Sequence, residues 1–182
     1  MNGRASRDSL FTRRLELRPF RDEDAADAQT WFGDPEVMRF TPSGPDASMQ
    51  ATASRLTSYI EHQQRHGFSK WIAVDRATRR PVGDAGLMFL HGTEDVELGY
   101  RLKRALWGHG LATELALAWR QHAFEVLRLS SLVAFTHPEN ASSIRVLHKC
   151  GFVLDRHDRV LGMDAVVFRA TSDRRVAAEP AT

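Results

Sequence analysis

The sequence predicts a single α/β domain: a mixed, mostly antiparallel sheet of about six or seven strands with helices on both faces. Three observations carry this. Strand-like and helix-like patterns alternate along the chain. The run Val96 to Leu102 is followed by Trp107-Gly108-His109-Gly110 and then by a helical pattern from Leu111. Residues 132–135, Leu-Val-Ala-Phe, are continuously apolar, as in a strand buried on both faces. A chain of 182 residues is long enough to bury one sizeable core.

Residues 1–10 are polar and aperiodic and are expected to be a loose tail, with the domain over 11–170 and a second tail over 171–182. Leu15, Leu17 and Phe20 alternate with charged residues as an amphipathic first strand. Asp22 is placed to cap a helix through Ala25, Ala28 and Phe32, which Asp34-Pro35 ends because a residue before proline disfavours helix. Thr41-Pro42-Ser43-Gly44-Pro45 is a loop. A second helix over 46–66 puts Met49, Ala53, Leu56 and Ile60 on one face, and Gly67 stops it. Residues 71–74 and 82–90 read as a hairpin, in which Gly83 and Gly86 imply irregularity or close packing. A helix over 111–124 turns Leu115, Trp119 and Phe124 inward, and a short helix capped by Asn140 stops at Gly151. Two strands joined at Gly162 finish the sheet, the last over 165–169.

Composition excludes several classes. Basic residues number 25 and acidic ones 23, so the pI near 9.0 reflects near-balance, and no basic stripe marks a nucleic-acid surface. Arg101, Lys103 and Arg104 read as a solvated face, or as a group that greets a polyanion beside the neighbouring loop. Cys150 is the one cysteine, so no internal disulfide forms; it reads as a small buried hydrophobe rather than a nucleophile. No apolar run reaches bilayer length and no signal-peptide core opens the chain, which makes a cytoplasmic, reducing setting the expectation and a membrane partner unexpected. His62 and His66 have the i, i+4 spacing of zinc ligands, but no Glu sits between them and no third ligand is evident. Two exposed helix histidines, and no metal, are expected.

Gly108 and Gly110 precede a helix, where backbone can approach a ligand closely and the first-turn N–H groups lack partners. Together with the helix dipole this makes a socket for phosphate oxygens, although many tight turns share the pattern. No lysine follows as in Gly-Lys-Ser/Thr, which disfavours a nucleotide-binding loop. About thirty residues later, Asn140-Ala141-Ser142-Ser143 opens the short helix that ends at Gly151-Phe152. This order of strand, glycine loop, helix, strand, Asn-x-x-Ser helix and Gly-Phe resembles the GNAT superfamily of acyl-CoA-dependent N-acyltransferases, nearest its RimJ/RimL-like branch. Thr12-Arg13-Arg14-Leu15-Glu16-Leu17-Arg18-Pro19, Asp34-Pro35-Glu36-Val37-Met38 and Glu97-Leu98-Gly99-Tyr100 resemble that branch too. The resemblance spans about residues 12–170 and is specific through the order of its motifs.

The resemblance implies transfer of an acetyl group from acetyl-CoA to a primary amine, on a protein N-terminus or a small molecule, by direct attack in a ternary complex. The early helices and the loop between them would shape the acceptor pocket. Gly108, His109, Gly110, Leu111, Ala112 and Thr113 would face the pyrophosphate, with Trp107 where relatives commonly carry Gln or Arg. Leu98, Tyr100 and Leu102 would lie along the pantetheine arm, with a backbone N–H near Leu98 or Gly99 as oxyanion donor and Asn140 bonding the arm or ordering its turn. Glu97 is the candidate base. Relatives that protonate the thiolate use a Tyr where this chain has Leu147, so Ser143 is the nearest substitute. A covalent acyl-enzyme is not expected, since no Ser or Cys sits beside an obvious base. The rival reading is a non-catalytic acyl-CoA-binding module, which would tolerate loss of Glu97. A homodimer is left open.

Overall fold

Side chains alternate across β3 (Lys70–Asp75): Ile72 and Val74 pack toward one layer of helices, Trp71 and Ala73 toward another. That alternation makes a three-layer structure. The computed structural model describes residues 9–172. Its other strands are β1 (Leu10–Phe11), β2 (Leu15–Pro19), β4 (Pro81–Phe89), β5 (Val96–Leu102), β6 (Ser131–Thr136), β7 (Val153–Val160) and β8 (Met163–Thr171), in the order β1-β2-β3-β4-β5-β6-β8-β7. Among the described residues only β5 and β6 run parallel; every other neighbouring pair is antiparallel. The eighth strand, beyond the expected six or seven, is the two-residue β1, whose Leu10 pairs with Leu17. The expected tails lie largely outside the described residues; Leu10 and Thr171, assigned to them, are instead strand residues.

The helices α1 (Ala25–Phe32), α2 (Pro35–Met38) and α3 (Met49–His66) cover one face through Trp31, Phe32, Met38, Leu56 and Tyr59. Against the other face lie α4 (Leu111–Glu125) and α5 (Ala141–Lys149), burying Leu115, Trp119, Ala123 and Leu147. Gly67 ends α3 at φ +78°, a left-handed conformation open to glycine, as its position in the sequence implies.

Three local expectations are corrected. The inward stripe of α3 is Thr52, Leu56 and Tyr59, while Met49 is 47% exposed; the apolar spacing misplaces the face because a buried Thr is held by Gln29 and Asp46. Asp22 lies within a 3₁₀ turn instead of capping it: Asp24 reaches back to accept from the Arg21 N–H at 2.8 Å and receives Arg18 at 2.7 Å. Asp34-Pro35 ends α1 but also starts α2, since Asp34 caps the Glu36 N–H and proline suits a first helical turn.

A buried ion pair ties the first helical layer to the sheet. Asp84 of β4 is fully buried; it accepts from Trp31 Nε1 at 2.9 Å and from Arg101 Nη2 at 2.8 Å, and Arg101 Nη2 also donates to the Tyr59 hydroxyl at 3.2 Å. Burial opposes the Arg101 charge, yet attraction from Asp84, Tyr59 and Glu97 holds its pKa above the ordinary arginine value. Arg101 is therefore mostly shielded and held by Asp84, not the freely solvated charge its neighbours suggested. Asp84→Ala leaves that guanidinium uncompensated and is expected to cost about 3–5 kcal/mol in urea unfolding. A loss below about 1 kcal/mol would show that the layers are held by apolar packing alone.

Candidate active site

The site begins where the sheet fails to close. β4 and β5 pair along their length, from Gly83↔Leu102 to Phe89↔Val96, whereas β5 and β6 share the single pair Glu97↔Val133. Beyond it the strands part. The gap opens on a cleft of about 340 Å³ whose walls are β5 from Glu97 to Arg101, β6 from Ala134 to Thr136, Asn140, Ser143 and Leu147 at α5, and Phe40 to Ser43 before α3.

Glu97 does not stand free in this cleft. Its Oε2 accepts from Lys70 Nζ at 2.8 Å, and Lys70, only 4% exposed, also donates to the Gly86 carbonyl at 3.1 Å. The pair fits because residue 99 is glycine: a Cβ there would sit 2.5 Å from both Glu97 Oε1 and Lys70 Nζ. On the opposite face of β5 the Tyr100 hydroxyl lies 3.1 Å from Ser143 Oγ. Burial holds the Tyr100 phenol protonated well above its ordinary pKa, with the Ser143 bond opposing more weakly. Asn140 caps α5 by accepting from the Ser143 N–H at 3.2 Å and donates to Thr136 Oγ1 at 2.9 Å.

A second feature lies past the end of β5. Gly108 and Gly110 have φ of +80° and +76°, and Gly110 caps α4 without a side chain, leaving the first-turn amides open. Space around Gly108 is empty, so backbone there is approachable. Trp107 Nε1 donates to the Leu102 carbonyl at 2.9 Å and pins the loop to β5. Arg14 pins its far side, donating to the His109 carbonyl at 2.9 Å and to Glu114 at 2.7 Å. Burial would raise the Glu114 pKa, but hydrogen bonds from Thr12 and Arg14 hold it below the usual range, so the charge stays in place and is neutralised.

The model of the acetyltransferase (GNAT) domain family matches residues 14–153. The chain belongs to the GNAT family. It is accordingly an acyl-CoA-dependent acetyltransferase. The protein YkkB of Bacillus subtilis is 32% identical over 148 residues, covering 78% of this chain and 83% of YkkB. An acetyltransferase from Agrobacterium tumefaciens superposes with a TM-score of 0.79 at 27% identity, covering 93% and 98% of the two chains. RimJ of Mycobacterium smegmatis, solved with CoA-disulfide, superposes at 0.78 with 22% identity over 92% of this chain and 89% of RimJ.

In this GNAT chain Glu97, Leu98, Tyr100, Asn140 and Ser143 share the cleft, and Gly108 to Thr113 form the separate loop beyond it. Leu102 and Leu111 are 5% and 7% exposed with side chains in the core, so only their backbone is available to a ligand. Sequence reasoning missed Lys70, Arg55 and Tyr59 on the cleft wall and the phenol of Tyr100 beside Ser143. Lys70 had a signal: it is a lone charge abutting the apolar run of β3. Arg55 and Tyr59 had none, because an arginine on a surface-like helix reads as solvated.

His62 is half-buried rather than exposed. Its Nδ1 meets the Phe68 carbonyl at 2.7 Å, its Nε2 meets the Phe89 N–H at 3.3 Å, and burial lowers its pKa. Cys150 is fully buried, and burial pushes its thiol up to about 12. At pH 8 the folded protein is therefore expected to leave a disulfide reagent unreacted, and to release one equivalent on unfolding in guanidinium. Rapid labelling of the native protein would contradict this burial.

Proposed function

We propose that this acetyltransferase moves the acetyl group of acetyl-CoA to a primary amine, by direct attack in a ternary complex. The parting of β5 from β6 after one residue pair carries the reading, because it leaves a strand edge inside the molecule between a polar cleft and an uncapped helix start. Peptide-like groups of a pantetheine arm would satisfy backbone N–H and C=O groups on that edge. The open amides from Gly108 to Thr113 would take the pyrophosphate, and the backbone of Leu98, Tyr100 and Leu102 the arm. RimJ of Mycobacterium smegmatis, on the same fold, was solved with CoA-disulfide, which supports a ligand of the coenzyme A class.

Each chemical demand then has a residue. Glu97 accepts the proton that the amine must lose, with Lys70 fixing Oε2 and Oε1 lying over Gly99. As the new C–N bond forms, the N–H at Leu98 or Gly99 bonds the oxyanion, an interaction worth about 3 kcal/mol of barrier in other enzymes. As the C–S bond breaks, the Ser143 hydroxyl hydrogen-bonds the departing thiolate, which then takes its proton from solvent; Tyr100, 3.1 Å from Ser143 Oγ, orients that hydroxyl. Leu147 has no proton to give. An unassisted thiolate, with a pKa near 8.5, is also a tolerable leaving group. Asn140 orders the turn that presents Ser143. The reaction fits a reducing cytoplasmic setting.

Acetyl-CoA is expected to raise the melting temperature by mass action, since it binds the folded state alone. Gly110→Asp, which brings bulk and negative charge into the loop, should abolish that shift while the apo protein still melts cooperatively. An unchanged shift would remove the loop from the site.

Glu97→Gln retains an oxygen for Lys70 but cannot take a proton. Thiol release from acetyl-CoA with an amine at pH 7 should fall about a hundredfold or more, within the range for general-base catalysis. The acetyl-CoA melting shift should persist, and activity should partly recover at high pH as the amine deprotonates unaided. Full turnover at pH 7 would leave Glu97 as a structural partner of Lys70.

A further inference from the structure

Three cationic side chains reach the cleft wall near Glu97, and their counter-charges are distributed unevenly. Arg55 is held by Asp46 at 2.6 Å, Arg101 by Asp84 at 2.8 Å and Lys70 by Glu97 at 2.8 Å. Arg55, Lys70 and Arg101 line the cleft, but Asp46 and Asp84 do not; among the described residues Glu97 is the sole carboxylate on the wall. Asp84 is fully buried and the Asp46 side chain is 8% exposed, both behind the arginines. Two of these pairs thus place an arginine on the cleft wall and keep its carboxylate off it.

The arginines are also fixed in place. Their guanidinium carbons lie 4.8 and 4.9 Å from the centre of the Phe32 ring. Arg101 donates to the Tyr59 hydroxyl at 3.2 Å and Arg55 to Ser43 Oγ at 3.2 Å. A guanidinium has five donors, so the carboxylate behind it does not exhaust its capacity to bind a second one in front. A preorganised donor of this kind favours an anion and repels a polycation.

We propose that the acceptor carries an anionic group, in the simplest case a carboxylate, in the same small molecule as its amine. Arg55, with Arg101 beside it, receives the anion, and the amine lies by Glu97. This deepens the amine-acetylation reading above and rests on it. Glu97 and Arg101 are four residues apart on one face of β5, about 13 Å between Cα atoms in an extended strand. The two ends of the acceptor are therefore set apart, and the class is an amino acid with its amine and carboxylate spaced from one another; a polyamine or an amine-rich sugar lacks the anion.

The test measures CoA thiol release with amino acids whose amine and carboxylate are set progressively further apart, from glycine to 6-aminohexanoate. Each is paired with its own carboxamide, and spermidine is added. For the preferred length kcat/KM should favour the acid over the amide at least tenfold. In Arg55→Gln that ratio should collapse toward one while the acetyl-CoA melting shift persists; the bond from Thr52 to Asp46, 3.0 Å in the native protein, does not depend on Arg55. Arg55→Lys, which retains the charge, should preserve part of the preference and serves if the Gln variant fails to fold. Amides matching acids in the wild type, a preference for spermidine, or a ratio indifferent to both Arg55 variants would overturn the proposal. No thiol release with any amine, despite an acetyl-CoA melting shift, would instead overturn the amine-transfer reading itself and the proposal with it.

Discussion

Parallel strands cannot be joined by a tight turn, so β5 must leave the sheet, travel through a loop and α4, and return as β6. Here the two strands then meet through one residue pair, Glu97 with Val133. Everything characteristic of the molecule follows from that thin junction. It leaves strand edges unpaired inside the fold, opens the cleft between them, and directs the end of β5 toward the glycine loop. Unpaired backbone is costly when buried and free of partners, so the gap stands ready for an extended ligand with its own amides. β5 tolerates the arrangement because β4 holds its other edge throughout.

The charges around the junction are arranged in depth. Asp84 behind Arg101, Asp46 behind Arg55 and Lys70 beside Glu97 are pairs whose members are mostly or wholly shielded from water. Such pairs contribute less net stability than their geometry suggests, because desolvation offsets attraction. Breaking one is costly all the same, and so each fixes its elements relative to the others. Arg101 links β5 to β4 and, through Tyr59, to α3. The same residues that define the packing of the first helical layer therefore define the electrostatic character of the cleft. Arg14 does a comparable job at the loop, where an unneutralised Glu114 would oppose any phosphate.

Most of the strands and helices were legible because their signals are local. Alternation marked β2, a glycine stop marked the end of α3, a continuous apolar run marked β6, and Asn140 to Gly151 bracketed α5. Errors fell where a polar side chain did work that an apolar count cannot see. Thr52 faces inward because Gln29 and Asp46 satisfy it, which turns the stripe of α3 away from Met49. The two-residue β1 has no periodicity to read and exists only because β2 offers it an edge.

The sequence alone determined the α/β class, the glycine loop ahead of α4, the Asn140-capped helix and the presence of Glu97 on a strand of the right pattern. Those depend on neighbours within a turn or two of chain. Only the tertiary structure decided that Glu97 is tied to Lys70, that Tyr100 stands against Ser143, and that Arg101 is held by Asp84. Each of these partners lies 17 to 43 residues away in sequence. No periodicity encodes such a pairing; it comes from strand register and from the crossing of β5 and α5. The chemistry of a charged side chain is set by what faces it, and for these residues the fold alone supplies the facing group.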